Sequence, residues 1–160
     1  MASAAPVKWH DCTEMLGVEA EYLPPGMECG TVDVPVNYDD PDGAQTEVAL
    51  TRIKASTGQA RSTIFGNPGG PGNYALNFWN PPLDGSAPAG LYENHDLVAV
   101  QPRGLYGSNP MVCEVEFVGP NAVNPLHDAC FGTDPAYMAS MTTENPARDT
   151  NAVREALELA

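Results

Sequence analysis

The sequence predicts an α/β fold that opens with an antiparallel hairpin and continues into parallel strands. Residues 31–36 alternate apolar and polar side chains with a period of two, which is typical of a strand with one buried face. Residues 96–100 form a nearly continuous apolar run, which is typical of a parallel strand buried on both faces. Apolar residues spaced as one helical face between 152 and 157 predict a helix near the end of the chain.

The hairpin is predicted from residue 31 onward, after a start that is rich in loops. Pro35 has no backbone N–H to donate, so its strand should lie at a sheet edge or end early. Residues 37–43 have the composition of a turn, and we interpret them as a solvated hairpin tip. They do not form a calcium loop, because the glutamate that closes an EF-hand is missing. Residues 47–53 alternate again and should pair with the first strand.

The remaining elements follow the hairpin along the chain. Residues 62–65 form a short apolar run that predicts a strand. One short helix is expected after it, followed by a proline-rich stretch over residues 81–90. Asn145 should cap the terminal helix, and Pro146 suits its first position because that position needs no N–H donor.

Length and charge exclude several classes of protein. The 160 residues favour one domain over two. Seven basic residues against 21 acidic ones give a net charge of −14, which excludes a nucleic-acid or anionic-membrane surface. No apolar run approaches the ~18–20 residues that span a bilayer. Residues 1–8 are predicted to be a disordered N-terminus or a signal-peptide remnant, because residues 2–4 (Ala-Ser-Ala) resemble a cleavage site.

The four cysteines predict two disulfide bonds. Cys12 and Cys29 lie 17 positions apart, as do Cys113 and Cys130, and none belongs to a Cys-x-x-Cys zinc or redox motif. Three pairings are possible, and the equal local spacing favours Cys12–Cys29 and Cys113–Cys130. Disulfides indicate an oxidising, secreted setting, whereas four free thiols in a cytosolic protein are the alternative.

Residues 68–72 (Pro-Gly-Gly-Pro-Gly) directly follow the short strand and are the strongest functional signal. Glycine can take positive φ and turn N–H groups into a cavity, while proline stiffens the chain beside it. Such N–H groups suit an oxyanion. Phosphate and dinucleotide loops are excluded, because Gly-Lys-Ser/Thr and Gly-x-Gly-x-x-Gly are both absent here. A tight turn without a ligand is the alternative.

Six blocks of the sequence resemble, in order, the secreted tripeptidyl-aminopeptidase branch of the prolyl-aminopeptidase-like serine peptidases. The blocks are Trp9–Cys12, Glu28–Tyr38, Asn67–Gly72, Asp96–Gly104, Gly107-Ser108 with Cys113 and Cys130, and Ala147–Arg154. The resemblance covers residues 9–160 and implies the N-terminal portion of an α/β-hydrolase domain, in which the hairpin leads into parallel strands. Gln101 stands where the family usually has Asp, and Tyr106 stands where it has a smaller residue.

The resemblance also implies roles for the glycine-rich loop. One backbone N–H of this loop is expected to belong to an oxyanion hole, and Gly69 and Gly70 are the candidate donors. The residues expected to shape the loop are Asn67, Pro68, Pro71 and Gly72. The resemblance therefore implies a secreted aminopeptidase that needs no cofactor and no metal. It also implies an acidic pocket that binds the free N-terminus of the peptide substrate.

The sequence lacks the nucleophile that such a peptidase needs, because no Gly-x-Ser-x-Gly motif occurs in it. By the resemblance, the serine, acid and histidine are expected beyond residue 160, in a C-terminal half or a second chain. The chain alone is then expected to be inactive. Ser108 with His10, His95 or His127 is not expected to form a substitute triad. Residues 96–100 would be the last strand of the sheet, with an apolar edge that favours association.

Two alternatives stay open. Arg103 either binds a substrate carboxylate or braces the loops through a buried bidentate pair, and the second interpretation is favoured. The alternative to an enzyme is a non-catalytic, secreted, acidic binding module with the same half-fold. A cytosolic nucleotide-binding domain is not favoured, because the sequence has no phosphate loop.

Overall fold

The computed structural model describes residues 5–70, 72–82, 88, 90–114 and 125–159, without the side chains of residues 125–128. It contains a five-stranded mixed sheet. The strands are β1 (Lys8–His10), β2 (Met27–Pro35), β3 (Gln45–Ile53), β4 (Ser62–Gly66) and β5 (His95–Val100). Their order in the sheet is β1-β2-β3-β5-β4, in which only β4 and β5 run parallel. This mixed sheet is compatible with part of an α/β fold, as the sequence predicts.

Short helices accompany the sheet. They are α1 (Cys12–Leu16), α2 (Leu91–Asn94), α3 (Pro125–Thr133), α4 (Pro135–Ala139) and α5 (Glu144–Ala156), with a 3₁₀ turn at Ala20–Tyr22. The sequence pattern did not predict β1, α1, the 3₁₀ turn, α3 or α4. The proposed hydrophobic face of the terminal helix does lie on the sheet, where Val153 of α5 is fully buried in the core.

The predicted hairpin is confirmed as β2 paired with β3. Thr31 lies opposite Ala49 and Val32 lies opposite Val48, so the two alternating patterns place their apolar side chains on one face. Val32 and Val48 are completely buried in the core of the sheet. The strand does end at Pro35, but it is not an edge strand, because β1 pairs with Cys29–Thr31.

The expectation that residues 96–100 form the open edge of the sheet is wrong. β5 lies between β3 and β4, with Val100 opposite Leu50 and Val98 opposite Phe65. After β4, a long connection returns the chain to the side of β4 that faces β3, where β5 forms. There the apolar run is covered by a neighbour on each side, so β4 is the last strand of the described sheet.

Two helix predictions are also corrected. The short helix α2 follows the proline-rich stretch instead of preceding it, because residues 76–79 form a turn with bonds such as Phe78 N–H to Ala75 O (2.9 Å). The terminal helix begins at Glu144, so Asn145 is not its cap and Pro146 is not its first residue. The N–H of Asn145 instead donates to Thr142 Oγ1 at 3.1 Å, which moves the helix start towards the N-terminus.

Both predicted disulfides are confirmed. Cys12–Cys29 joins α1 to β2, and Cys113–Cys130 joins the loop region after β5 to α3. Each has its Cα atoms about 5 Å apart, at 5.2 and 5.1 Å respectively. None of the helices in the described ranges is long and apolar enough to cross a bilayer. These observations are compatible with an extracellular protein.

Candidate oxyanion site

The glycine-rich loop follows β4 at the carboxyl end of the two parallel strands, which is where ligands of open α/β sheets bind. Three of its glycines have positive φ, namely Gly69 (+74°), Gly70 (+129°) and Gly72 (+90°). An L-amino acid would be strained at each of these positions, which explains the composition of the loop. Pro71 lies outside the described residues. The role of the loop prolines in shaping it stays a prediction.

The N–H groups of Gly69 and Gly70 differ in their bonding. The N–H of Gly69 donates to Asn67 Oδ1 at 2.7 Å, so Asn67 closes the first turn of the loop. The N–H of Gly70 has no hydrogen-bond partner within the described part of the chain, and the residue is exposed. Of the two candidate donors, Gly70 therefore has the N–H that is available to an anion.

The space beside Gly70 is lined by backbone nitrogen atoms. A Cβ placed on Gly70 would lie 2.9 Å from the nitrogen of Gly72 and 3.1 Å from the nitrogen of Asn73. A side chain there would displace this backbone or fill the space. The chain therefore turns closely at residues 70–73, and glycine is required at residue 70.

The loop returns to the sheet through residues 75–79, which we call the return limb. Its first two residues, Ala75 and Leu76, are fully buried. Ala75 N–H donates to Gln101 Oε1 at 2.6 Å, and Leu76 O accepts from Thr51 Oγ1 at 2.8 Å. Side chains from two strand ends therefore hold the return limb in place.

The other end of the loop is held by packing. A Cβ on Gly66, the last residue of β4, would lie 2.3 Å from the ring of Phe78 and 2.6 Å from that of Trp79. Trp79 Nε1 donates to the carbonyl of Val98 in β5 at 2.9 Å. The two rings thus cover the end of β4, so that the loop starts and ends at fixed points.

Ser108 forms no triad with His10 or His95. Ser108 is completely buried; its hydroxyl donates to Gln101 O and accepts from Ala49 N–H, both at 2.8 Å. His10 Nε2 lies 2.9 Å from Thr31 Oγ1, and His95 Nδ1 lies 2.9 Å from Ser62 Oγ. The His127 side chain lies outside the described residues.

Arg103 is buried and bonded on every side of its guanidinium. Nε and Nη2 donate to the two oxygens of Asp149 in α5, at 2.8 and 2.5 Å. Nη1 donates to Val36 O at 2.9 Å, and Nη2 also donates to Pro35 O at 3.0 Å. A substrate carboxylate would have to displace Asp149, so this geometry fits the brace rather than the carboxylate-binding interpretation.

Tyr38 completes this buried cluster. Its hydroxyl donates to Asp149 Oδ1 at 2.8 Å, and its ring lies 5.7 Å from the Arg103 guanidinium carbon. Burial and the nearby carboxylate raise the pKa of Tyr38 above its usual value. The phenol therefore stays protonated and continues to donate to Asp149 at neutral pH.

Two tyrosines connect the loops that follow β4 and β5. The ring centroids of Tyr74 and Tyr106 lie 6.2 Å apart, and Tyr106 is 66% exposed. Burial and the neighbouring Tyr106 raise the pKa of Tyr74. The sequence marked Tyr106 as a departure from the family, but its contact with Tyr74 depends on the sheet order, which a local pattern does not contain.

A groove beside Tyr106 is lined in part by the carboxylates of Asp11, Glu14 and Glu47. Asp11 already caps α1 through the N–H groups of its first turn, and Glu47 is 2.9 Å from Lys8 Nζ. The carboxylates of Asp11 and Glu47 therefore have partners within the fold. The acidic pocket for a peptide N-terminus stays a prediction.

Comparison with known proteins gives several relatives and no matching family model. The tripeptidyl aminopeptidase of Streptomyces lividans is 32% identical over 180 residues, which cover 98% of this chain and 32% of that protein. A serine protease of Mycobacterium tuberculosis is 36% identical over 107 residues, covering 67% of this chain and 20% of that protein. Carboxylesterase B of Mycobacterium tuberculosis is 36% identical over 102 residues, which cover 64% of this chain and 19% of that protein.

These names agree with the resemblance found in the sequence blocks. All three belong to hydrolases, which does not favour the alternative of a non-catalytic binding module. The chain spans about a third (32%) of the length of the tripeptidyl aminopeptidase that it matches.

Proposed function

Because the chain belongs to the tripeptidyl-aminopeptidase-like serine hydrolases, we propose that it carries the oxyanion loop of a secreted aminopeptidase. The enzyme would release short peptides or single residues from the N-termini of peptides. The observation that supports this best is the Gly70 N–H, which is exposed and without a partner among the described residues, at the carboxyl end of β4.

The loop would act on the oxygen of the scissile carbonyl. When a serine oxygen bonds to the carbonyl carbon, the π electrons move to the carbonyl oxygen, which becomes an oxyanion. The Gly70 N–H would donate to this oxyanion, together with the N–H of the residue after the nucleophile. The oxyanion re-forms the carbonyl as the carbon–nitrogen bond breaks, and the departing amine takes from the catalytic histidine the proton that the serine gave up. Water then releases the acyl group from the serine by the same steps.

We propose that the nucleophile, its acid and its histidine come from residues outside this sequence, in the same protein or in a second chain. The absence of Gly-x-Ser-x-Gly supports this, as does the burial of the Ser108 hydroxyl. β4 has a neighbour on one side only in the described sheet. A further strand that carries the nucleophile could therefore pair with β4 beside the loop.

The experiment uses a longer protein that joins this chain to the part of the Streptomyces lividans tripeptidyl aminopeptidase outside the matched region. It should hydrolyse tripeptidyl or aminoacyl reporter substrates, and a fluorophosphonate probe should label a serine outside these 160 residues. The isolated chain should not be labelled. Labelling of Ser108, or of any other serine in the isolated chain, would contradict the proposal.

Gly70→Val in the longer protein should lower kcat by ~10²-fold, because valine cannot keep the φ of +129° and its N–H then turns away from the oxyanion. Gly58→Val is the control for positive φ, because Gly58 also has positive φ (+73°) but lies in a turn away from the loop, with open space where a Cβ would stand. Both variants strain the backbone, and only Gly70→Val should change kcat. Equal losses in the two variants would show that strain, and not the oxyanion, explains the effect.

A further inference from the structure

Gln101 directly follows β5, and its side chain crosses to the loop that follows β4. The residue is 1% exposed, and its Oε1 accepts the Ala75 N–H at 2.6 Å. Ala75 stands three residues after Gly72, at the point where the glycine-rich loop rejoins the fold. The Gln101 amide oxygen therefore holds the first residue of the return limb, which is the one nearest in sequence to the loop glycines.

The backbone of Gln101 is itself held on both sides. Its N–H donates to Ala49 O at 2.9 Å, and its carbonyl accepts from Ser108 Oγ at 2.8 Å. The same Ser108 hydroxyl accepts the Ala49 N–H, so β3 and the loop after β5 share one buried set of bonds. An acceptor mounted on such a backbone has a fixed position.

Among the described residues, the glycines between Gly66 and Ala75 have few hydrogen bonds to the rest of the fold. Gly69, Gly70 and Gly72 are exposed, and the bond from Gly69 to Asn67 lies within the loop itself. Glycine has the widest range of φ and ψ, so a shift at the end of the loop changes the direction of its N–H groups. The orientation of the Gly70 N–H therefore depends on where Ala75 is held.

We infer that Gln101 is a positioning residue: its amide oxygen holds Ala75 and thereby aims the Gly70 N–H at the oxyanion. The catalytic part of this inference rests on the proposed function. A neutral amide suits the position because it accepts a hydrogen bond without burying a charge.

The test compares Gln101→Leu with two reference variants in the longer protein. Leucine is similar in size to glutamine but has no acceptor, and Gln101→Glu restores an acceptor at the same distance. Ser140→Ala is the control, because it removes another buried hydrogen bond, from Ser140 Oγ to Tyr137 O at 2.7 Å, that does not involve the glycine-rich loop or Gln101. Amide hydrogen exchange and steady-state kinetics are measured on all three.

In Gln101→Leu, exchange of the Ala75 amide should be at least 10-fold faster, while amides of the β2–β3 hairpin change less than 2-fold. The kcat should fall at least 10-fold with KM within 2-fold of wild type. Gln101→Glu should restore protection of the Ala75 amide, and Ser140→Ala should leave both that amide and kcat unchanged.

The inference is overturned if the Ala75 amide is unaffected in Gln101→Leu, or if exchange rises equally across the sheet. A local change in exchange with unchanged kcat would also overturn the positioning role. If the wild-type protein has no hydrolase activity but the exchange result holds, the proposed function fails while the bond from Gln101 to Ala75 retains its role in holding the loop.

Discussion

Gln101 and Arg103 stand two residues apart in the loop after β5, and both side chains are buried, yet they tie this loop to different regions. Arg103 binds α5 and the end of β2 through a charged pair with Asp149 and two backbone carbonyls. Gln101 binds the return limb of the glycine-rich loop through one neutral hydrogen bond, from the Ala75 N–H. Arg103 thus makes a charged contact that holds a helix to the sheet, whereas Gln101 makes a neutral contact beside the candidate site.

The largest expected effect is the loss of the charged contact. Arg103→Leu should lower the free energy of unfolding by about 3–5 kcal/mol, because it leaves Asp149 buried without its cation. Chemical denaturation of the purified variant measures this. The double variant Arg103→Leu with Asp149→Leu should recover much of the loss, since no charge then remains buried. A single variant as stable as the wild type would show that the pair contributes nothing.

Gln101→Leu should have a smaller effect on stability. It leaves the buried Ala75 N–H without an acceptor but strands no charge, so we expect a loss of about 1–3 kcal/mol in the free energy of unfolding. The same denaturation experiment applies. If Gln101→Leu were more destabilising than Arg103→Leu, the proposed contrast between the two contacts would be wrong.

Tyr38→Phe should have the smallest effect, about 1 kcal/mol, because it removes one hydrogen bond to Asp149 and keeps the ring. The variant also tests pH dependence. Since the folded-state pKa of Tyr38 is raised above 10.0, the unfolded chain ionises first, and stability should fall as the pH rises above about 10.

The alkaline loss of stability should be smaller in Tyr38→Phe than in wild type, because the substituted residue no longer titrates. Unfolding midpoints measured between pH 8 and pH 11 would reveal this difference. Identical profiles for the two proteins would mean that Tyr38 ionises as easily in the folded chain as in the unfolded one.

Several features follow from neighbouring residues and were therefore predictable. The period of two over residues 31–36 and 47–53 gave both strands of the hairpin, since alternate side chains of a strand point to opposite faces. The positive φ values of Gly69, Gly70 and Gly72 agree with a loop built from glycine. The equal spacing of the cysteines favoured the two disulfides that the structure contains.

Other features depend on the order of strands in the sheet. β5 lies between β3 and β4, and no local pattern states which strands become neighbours. Gln101 reaches Ala75 across 26 positions, and Arg103 reaches Asp149 across 46. The helix start at Glu144, by contrast, involves only nearby groups: Thr142 Oγ1 accepts the Asn145 N–H, and the Asn145 side chain donates to Ser140 O.

The sequence by itself determined the β2–β3 hairpin, β4, β5, the terminal helix and the glycine-rich loop, because backbone preferences and side-chain periodicity act over a few residues. The family followed from the resemblance of six sequence blocks. Only the tertiary structure decided which loop N–H stays available and which side chains hold the loop. Those outcomes require hydrogen-bond partners that lie far apart in the chain. Such partners can bond only when the sheet order brings donor and acceptor within about 3 Å of each other.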